Sequence, residues 1–204
     1  DSLIDNVIGV GAFVNIEELV IRNSNIDSVN IIGLSNLQRF ICTDNSSLES
    51  ILFGDNFAMY LFYCNRNNSL KSLDITTVSN IEDLLCYSNN LEHINVTNLT
   101  KLTTFNCSNN NLQELDLVGL TSLKSFNCSG NQLSQLNISE LFIKTINCKN
   151  NNFKEINFGN QSLETLLCST NPLLFADFSN CTELYTLSIS NTSLEKLDLS
   201  NNLK

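Results

Sequence analysis

Residues Leu102 to Ser122 read LTTFNCSNNNLQELDLVGLTS. Within them Leu102, Phe105, Cys107, Asn110, Leu112, Leu115 and Leu117 trace L-x-x-F-x-C-x-x-N-x-L-x-x-L-x-L. The next block repeats the frame with Leu123, Phe126, Cys128, Asn131, Leu133, Leu136 and Ile138. A frame recurring in tandem at fixed period is an architecture, because one such unit cannot bury its apolar face alone.

Aligned on the Cys position, nine frames begin at Ile16, Leu37, Met59, Ile81, Leu102, Leu123, Ile143, Leu163 and Leu184. The steps between them are 20–22 residues. The Cys position reads Ile21, Cys42, Cys64, Cys86, Cys107, Cys128, Cys148, Cys168 and Ile189. Three residues further on stand Ser24, Asn45, Asn67, Asn89, Asn110, Asn131, Asn151, Asn171 and Thr192. Seven Cys and seven Asn in phase mark structural ladders. Each frame also holds two period-2 patches, such as F-N-C and L-D-L. The first reads as a parallel strand of an inner face, the second as a shorter extended segment on the outer side. A repeat this short leaves little room for an outer helix, so extended or 3-10 connections are expected there. Nine strands at about 4.8 Å spacing make a slab on the order of 40 Å long.

The frame resembles the leucine-rich repeat family in its short, Cys-bearing variant, as found in bacterial surface proteins of gut Bacteroidetes and in internalin-like adhesins. The resemblance covers residues 16–204. It implies a right-handed α/β-type superhelix, with a curved parallel sheet on the concave face and short extended or 3-10 segments on the convex side. It also implies that the Asn of each frame bonds main-chain groups of adjacent repeats, with Ser24 and Thr192 doing part of that work at the ends. Residues 1–15, with Ile8 and Val10, read as an N-terminal half-repeat cap. Residues 16–204 read as one domain of nine repeats without a C-terminal cap.

The Cys ladder invites a sharper chemistry, either disulfides or a metal. Thiols in register on parallel strands stand about 4.8 Å apart, whereas a disulfide wants a Cβ separation of about 3.5–4.5 Å. A flat row is also a poor tetrahedral cage for zinc. The seven thiols therefore read as small buried apolar groups. Cys181 lies off that ladder, on the outer return of the eighth frame, and its state is open. An outer row of Asn30, Leu52, Asp74, Asn95, Asp116, Asn137, Asn157, Asp177 and Asp198 reads as Asx capping of turns rather than as calcium ligands.

Catalysis is not expected. The one histidine, His93, sits in an outer segment away from the thiols, and no phosphate-binding, zinc-protease or nucleophile-elbow motif occurs. A formal net charge of −10 argues against nucleic-acid backbones and anionic membranes. No apolar run reaches the roughly 18 residues of a spanning helix. No cofactor or metal is expected. Ten N-x-S/T triplets occur, and several fall on ladder or inner-strand asparagines. Glycosylating all of them conflicts with the fold, which favours a bacterial origin.

If the Cys position faces the core, the residues one and three before it and one after it face out from the concave sheet. Over the C-terminal two-thirds these rows are Thr, Asn and Ser. In the N-terminal third they cluster Ile41, Leu61, Tyr63, Leu85 and Tyr87, edged by Arg22, Arg39 and Asp83. Apolar residues with Tyr and Arg compose protein interfaces. The expected function is a non-enzymatic protein-binding module of a secreted or cell-surface bacterial protein. The alternatives are a spacer that associates end to end with other copies, and a carbohydrate surface on the Thr/Asn/Ser rows.

Overall fold

The structure is a computed structural model, and it describes residues 13–138 and 140–202. The expected N-terminal cap lies outside the described residues except for positions 13–15. Phe13 and Val14 are exposed there, and the Val14 carbonyl accepts a hydrogen bond from the Asn36 side chain at 2.9 Å.

Short strands alternate between two faces of the chain. The first repeats hold β1 (Glu18–Arg22), β2 (Ser28–Asn30), β3 (Arg39–Thr43), β4 (Ser50–Leu52), β5 (Leu61–Tyr63) and β6 (Ser72–Asp74). The middle repeats hold β7 (Asp83–Leu85), β8 (His93–Asn95), β9 (Thr104–Asn106), β10 (Ser125–Asn127) and β11 (Thr145–Asn147). The last hold β12 (Glu155–Asn157), β13 (Thr165–Leu167), β14 (Phe175–Asp177) and β15 (Thr186–Ser188). One strand per frame joins a nine-stranded parallel sheet in the order β1-β3-β5-β7-β9-β10-β11-β13-β15. The register follows the frame, so that Phe40 faces Phe62 and Phe105 faces Phe126.

No helix of any kind occurs among the described residues, so the α/β part of the expected superhelix does not apply and the outer segments are extended. Only some of those segments pair, as β2 with β4, β6 with β8 and β12 with β14. Curvature gives the reason. With the inner strands held at hydrogen-bonding distance, the outer arc is longer, and ladder spacing cannot be kept all the way round. The outer side closes in pairs and opens between them. At 114–116 and 135–137 it forms no strand at all.

Each inner strand stops for a backbone reason. The residue two past the Cys position has φ between 50° and 66° in all nine frames, from Asn23 and Asp44 through Gly130 to Thr170 and Asn191. Left-handed backbone cannot continue a strand, and it turns the chain into the layer below. The next residue is the frame Asn. Asn67, wholly buried, donates from Nδ2 to the carbonyls of Cys42 at 2.8 Å and Cys64 at 2.7 Å. Its Oδ1 accepts the backbone N–H of Asn45 at 3.0 Å.

The bridge between successive Cys carbonyls recurs at Asn89, Asn110, Asn131, Asn151 and Asn171. Asn45, at the N-terminal end, reaches the carbonyl of Ile21 and the sulfur of Cys42. Thr192 copies the local half of this bond, from Oγ1 to the Ile189 carbonyl. The hydroxyl of Ser24 instead turns to Arg22 O.

The core is the stack of these frames. Phe40 and Phe62 stack with centroids 5.4 Å apart and planes 6° from parallel, and Phe105 meets Phe126 at 5.5 Å. Such pairs add about 0.5–1.5 kcal/mol beyond their buried area. The seven ladder thiols are free and wholly buried. Burial pushes the Cys42 and Cys168 thiols up to about 12 and the others well above the usual range.

A second inward ladder escaped the sequence reading. Leu34, Val78, Leu99, Leu120 and Leu141 share a buried turn position with Asn56, Asn160 and Cys181. Cys181 is thus a free, buried ladder residue like the others. Asn56 donates to the carbonyls of Ile31 and Leu34, and Asn160 to that of Leu141. Both repeat the logic of the frame asparagines on the opposite corner.

Candidate interaction face

The concave sheet presents the first and third residues of each inner strand. On β5 these are Leu61 and Tyr63, and on β7 they are Asp83 and Leu85. All four are half-buried. The Tyr63 hydroxyl crosses to the next strand and donates to Asp83 Oδ2 at 2.7 Å. Burial pushes the Tyr63 phenol up to about 12, helped by that hydrogen bond and by the Asp83 charge, while Arg39 opposes the shift. Asp83 Oδ1 is shielded from solvent and receives no hydrogen bond. An occluded acceptor in that state costs about 1–3 kcal/mol.

Around this pair the charged residues are already engaged. Arg39 pairs with Glu18 at 3.3 Å. Arg66 pairs with Asp44 at 3.6 Å and lies over the ring of Tyr87, 5.9 Å from its centroid. Arg66 stands on the left-handed turn residue, outside the rows read from the sequence, which is why that reading missed it. Arg22 is exposed at the end of β1.

Two expectations for this face fail. Ile41 is only 5% exposed. It stands in register between Val20 and Tyr63, in a strand whose last four residues are all buried, and leaves the exposed patch. The row one after Cys also does not project from the sheet as a whole, since Thr43, Asn65, Ser108 and Ser169 are buried. The chain enters its left-handed turn at the next residue, which folds this row into the corner. Tyr87, half-buried, is the aromatic side chain of the row and stays partly open.

The C-terminal part of the face is self-satisfied. Asn106 Oδ1 accepts both the N–H and the hydroxyl of Ser108, and Asn127 does the same for Ser129. Ser169 and Ser188 join hydroxyls at 2.8 Å. On the convex side the Asx row closes turns in the same way. Asn30, Asp74, Asn95, Asp116, Asp177 and Asp198 each accept the N–H two residues on. His93 is exposed and lines a shallow polar hollow with Glu92, Glu114 and Gln135, where the outer segments are unpaired. Among the described residues no group of three or more His, Cys, Asp or Glu could hold a metal.

The repeat frame and the parallel sheet agree with the comparisons. A family model described as leucine-rich repeats (2 copies) matches residues 100–141. The chain is a leucine-rich repeat solenoid.

Among solved structures, this repeat solenoid is similar to the functional domain of InlJ from Listeria monocytogenes, which includes a cysteine ladder. That match has 20% identity and a TM-score of 0.72, over 97% of this chain and 54% of the other. YopM, a leucine-rich effector protein from Yersinia pestis, matches at 25% identity and a TM-score of 0.77, over 89% and 51%. An internalin (inlF) from L. monocytogenes matches at 18% identity and a TM-score of 0.62, over 99% and 69%. The chain spans about half the length of the first two. A comparison with curated proteins gave no match. Leucine-rich repeat domains generally mediate protein–protein interaction. No described helix is long and apolar enough to cross a membrane.

Proposed function

We propose that this leucine-rich repeat domain is a non-enzymatic module that binds another protein through its concave face, within a secreted or surface-exposed bacterial protein. The site comprises Leu61, Tyr63, Asp83, Leu85 and Tyr87, with Arg22, Arg39 and Arg66 at its edges. The observation that carries this reading is the contrast along the sheet. On β5 and β7 large apolar and aromatic side chains stay half open, whereas from β9 onward Asn106 and Asn127 are turned onto the backbone and hydroxyls of their own turns. Partly exposed aromatics beside arginines make the anchors of protein interfaces. The bacterial and extracellular setting is supported by the internalin-like neighbours and by the triplet asparagines Asn45, Asn67 and Asn160, which are buried.

The test is capture of binding proteins on the purified domain beside a Tyr63→Ala/Tyr87→Ala variant, with retained proteins identified by mass spectrometry. A protein held by the wild type and lost by the variant is expected. Equal retention by a folded variant moves the site off this face.

A further inference from the structure

We infer that Asp83 is the receptor for a cationic side chain, a lysine or arginine, carried by the protein partner. The inference rests on the concave-face reading above and names the chemistry of that contact. Asp83 stands on β7 between Leu61 and Thr104 in register. Its Oδ2 holds the Tyr63 hydroxyl and its Oδ1 holds nothing.

The nearest cations do not serve it. Arg39 is turned to Glu18, and Arg66 to Asp44 and Tyr87. None of the ion pairs among the described residues includes Asp83. The carboxylate is therefore fixed by one neutral donor and left without a countercharge, in a chain whose net charge is −10.

Asp83 is only half-buried, and because χ2 is broad for Asp the carboxylate can turn to meet an incoming charged donor, sharing or exchanging its bond to Tyr63. The walls suit the rest of such a side chain. Leu61 and Leu85, both half-buried, offer apolar surface to its methylene stem, and the Tyr63 hydroxyl sets a second oxygen beside the carboxylate. One carboxylate and one hydroxyl are too few oxygens for calcium, and an anionic ligand would meet Asp83 directly. The occupant that satisfies both the charge and the walls is a basic side chain.

The experiment is an NMR titration of the domain with N-acetyl-arginine methylamide, N-acetyl-lysine methylamide and the uncharged N-acetyl-citrulline methylamide. It is run on wild type and on Asp83→Asn, whose side-chain oxygen still accepts from Tyr63. A thermal melt checks that the variant is folded. The charged probes are expected to shift the signals of Asp83, Tyr63 and Tyr87. The citrulline probe should bind roughly tenfold more weakly or worse, and Asp83→Asn should lose a similar factor for the charged probes. Equal binding of citrulline, unchanged binding in Asp83→Asn, or no shift at Asp83 overturns the inference. A captured partner lost by the tyrosine variant but held at full strength by Asp83→Asn overturns it while leaving the face reading intact. A partner held equally by both variants removes the face reading itself.

Discussion

Asn110 accepts the backbone N–H of Leu91 at 3.0 Å, two residues beyond the ladder position Asn89. In the earlier repeats the amide oxygen takes the N–H of the preceding ladder residue itself, as Asn89 does with Asn67 at 2.6 Å. The change falls where the steps shorten from 22 residues to 21 and 20. The two donated bonds do not change across it. The asparagine therefore locks the carbonyls of two successive strands in both geometries and adapts only its acceptor.

From this follows a stability prediction. Asn67→Ala strands the Asn45 N–H and removes both donated bonds, and it should cost about 1–3 kcal/mol. Asn67→Asp keeps the acceptor but turns a carboxylate oxygen toward two carbonyls, and it should cost at least as much. Urea unfolding measures both, with the exposed Asn201→Ala, outside the left-handed positions, expected near zero. Equal small effects at all three would mean the ladder is incidental.

The turn ladder gives the opposite sign. Thr170 holds φ 59° although it is β-branched and exposed, a conformation costing of order 1 kcal/mol or more. Thr170→Gly or Thr170→Asn should raise the unfolding free energy by about 0.5–1 kcal/mol, read as a higher urea midpoint at unchanged slope. Gly130→Ala should destabilise, because φ is 66° and a Cβ there meets the Asn109 side chain.

Buried thiols predict chemistry by its slowness. Burial holds the ladder cysteines protonated at neutral pH, so thiol reagents should label them only as fast as the domain unfolds. Cys107→Ser places a hydroxyl in that dry row and should cost about 1–3 kcal/mol, more than Cys107→Ala. Rapid labelling of the native domain would contradict the wholly buried ladder.

Tyr63 carries a pH dependence at the alkaline end. Its folded value of about 12 lies above the ordinary tyrosine value of 10.0. The folded state therefore holds the proton longer than the unfolded state. That contribution is complete below pH 10 and is lost as pH rises toward 12. Ultraviolet titration should show one late tyrosine in wild type, shifted earlier in Asp83→Asn, because the hydrogen bond and the charge of Asp83 both raise it. An unchanged late titration in the variant would leave burial as the whole cause.

Asp177 and Asp198 work at the acid end. Hydrogen bonds from Ser179 and Ser200 lower both carboxyls. Each contributes above the ordinary aspartate range and loses that contribution as pH falls through its lowered value. Carboxyl carbon shifts should show both titrating below the ordinary aspartate range. Asp198 is exposed and Asp177 only half-buried, so the midpoint of unfolding should move little.

Much of the site was legible because strand side chains alternate. Leu61, Tyr63, Asp83 and Leu85 were placed on one face from spacing alone, and the structure puts them there. Ile41 was not legible, since alternation gives direction and says nothing of what flanks a residue. Arg66 was missed because the left-handed turn, which no local signal at an Arg announces, brings it over Tyr87.

By itself the sequence determined the period, the inward ladders and the parallel stacking, because an in-phase apolar frame can be buried only by its own copies. Only the tertiary structure decided which corner residues bend into the core, which outer segments pair, and how Tyr63 and Asp83 meet across strands. Those depend on backbone torsions and on the longer path of the outer arc. The pattern of residue types carries neither, because each is set by the neighbouring repeats together and not by any one of them.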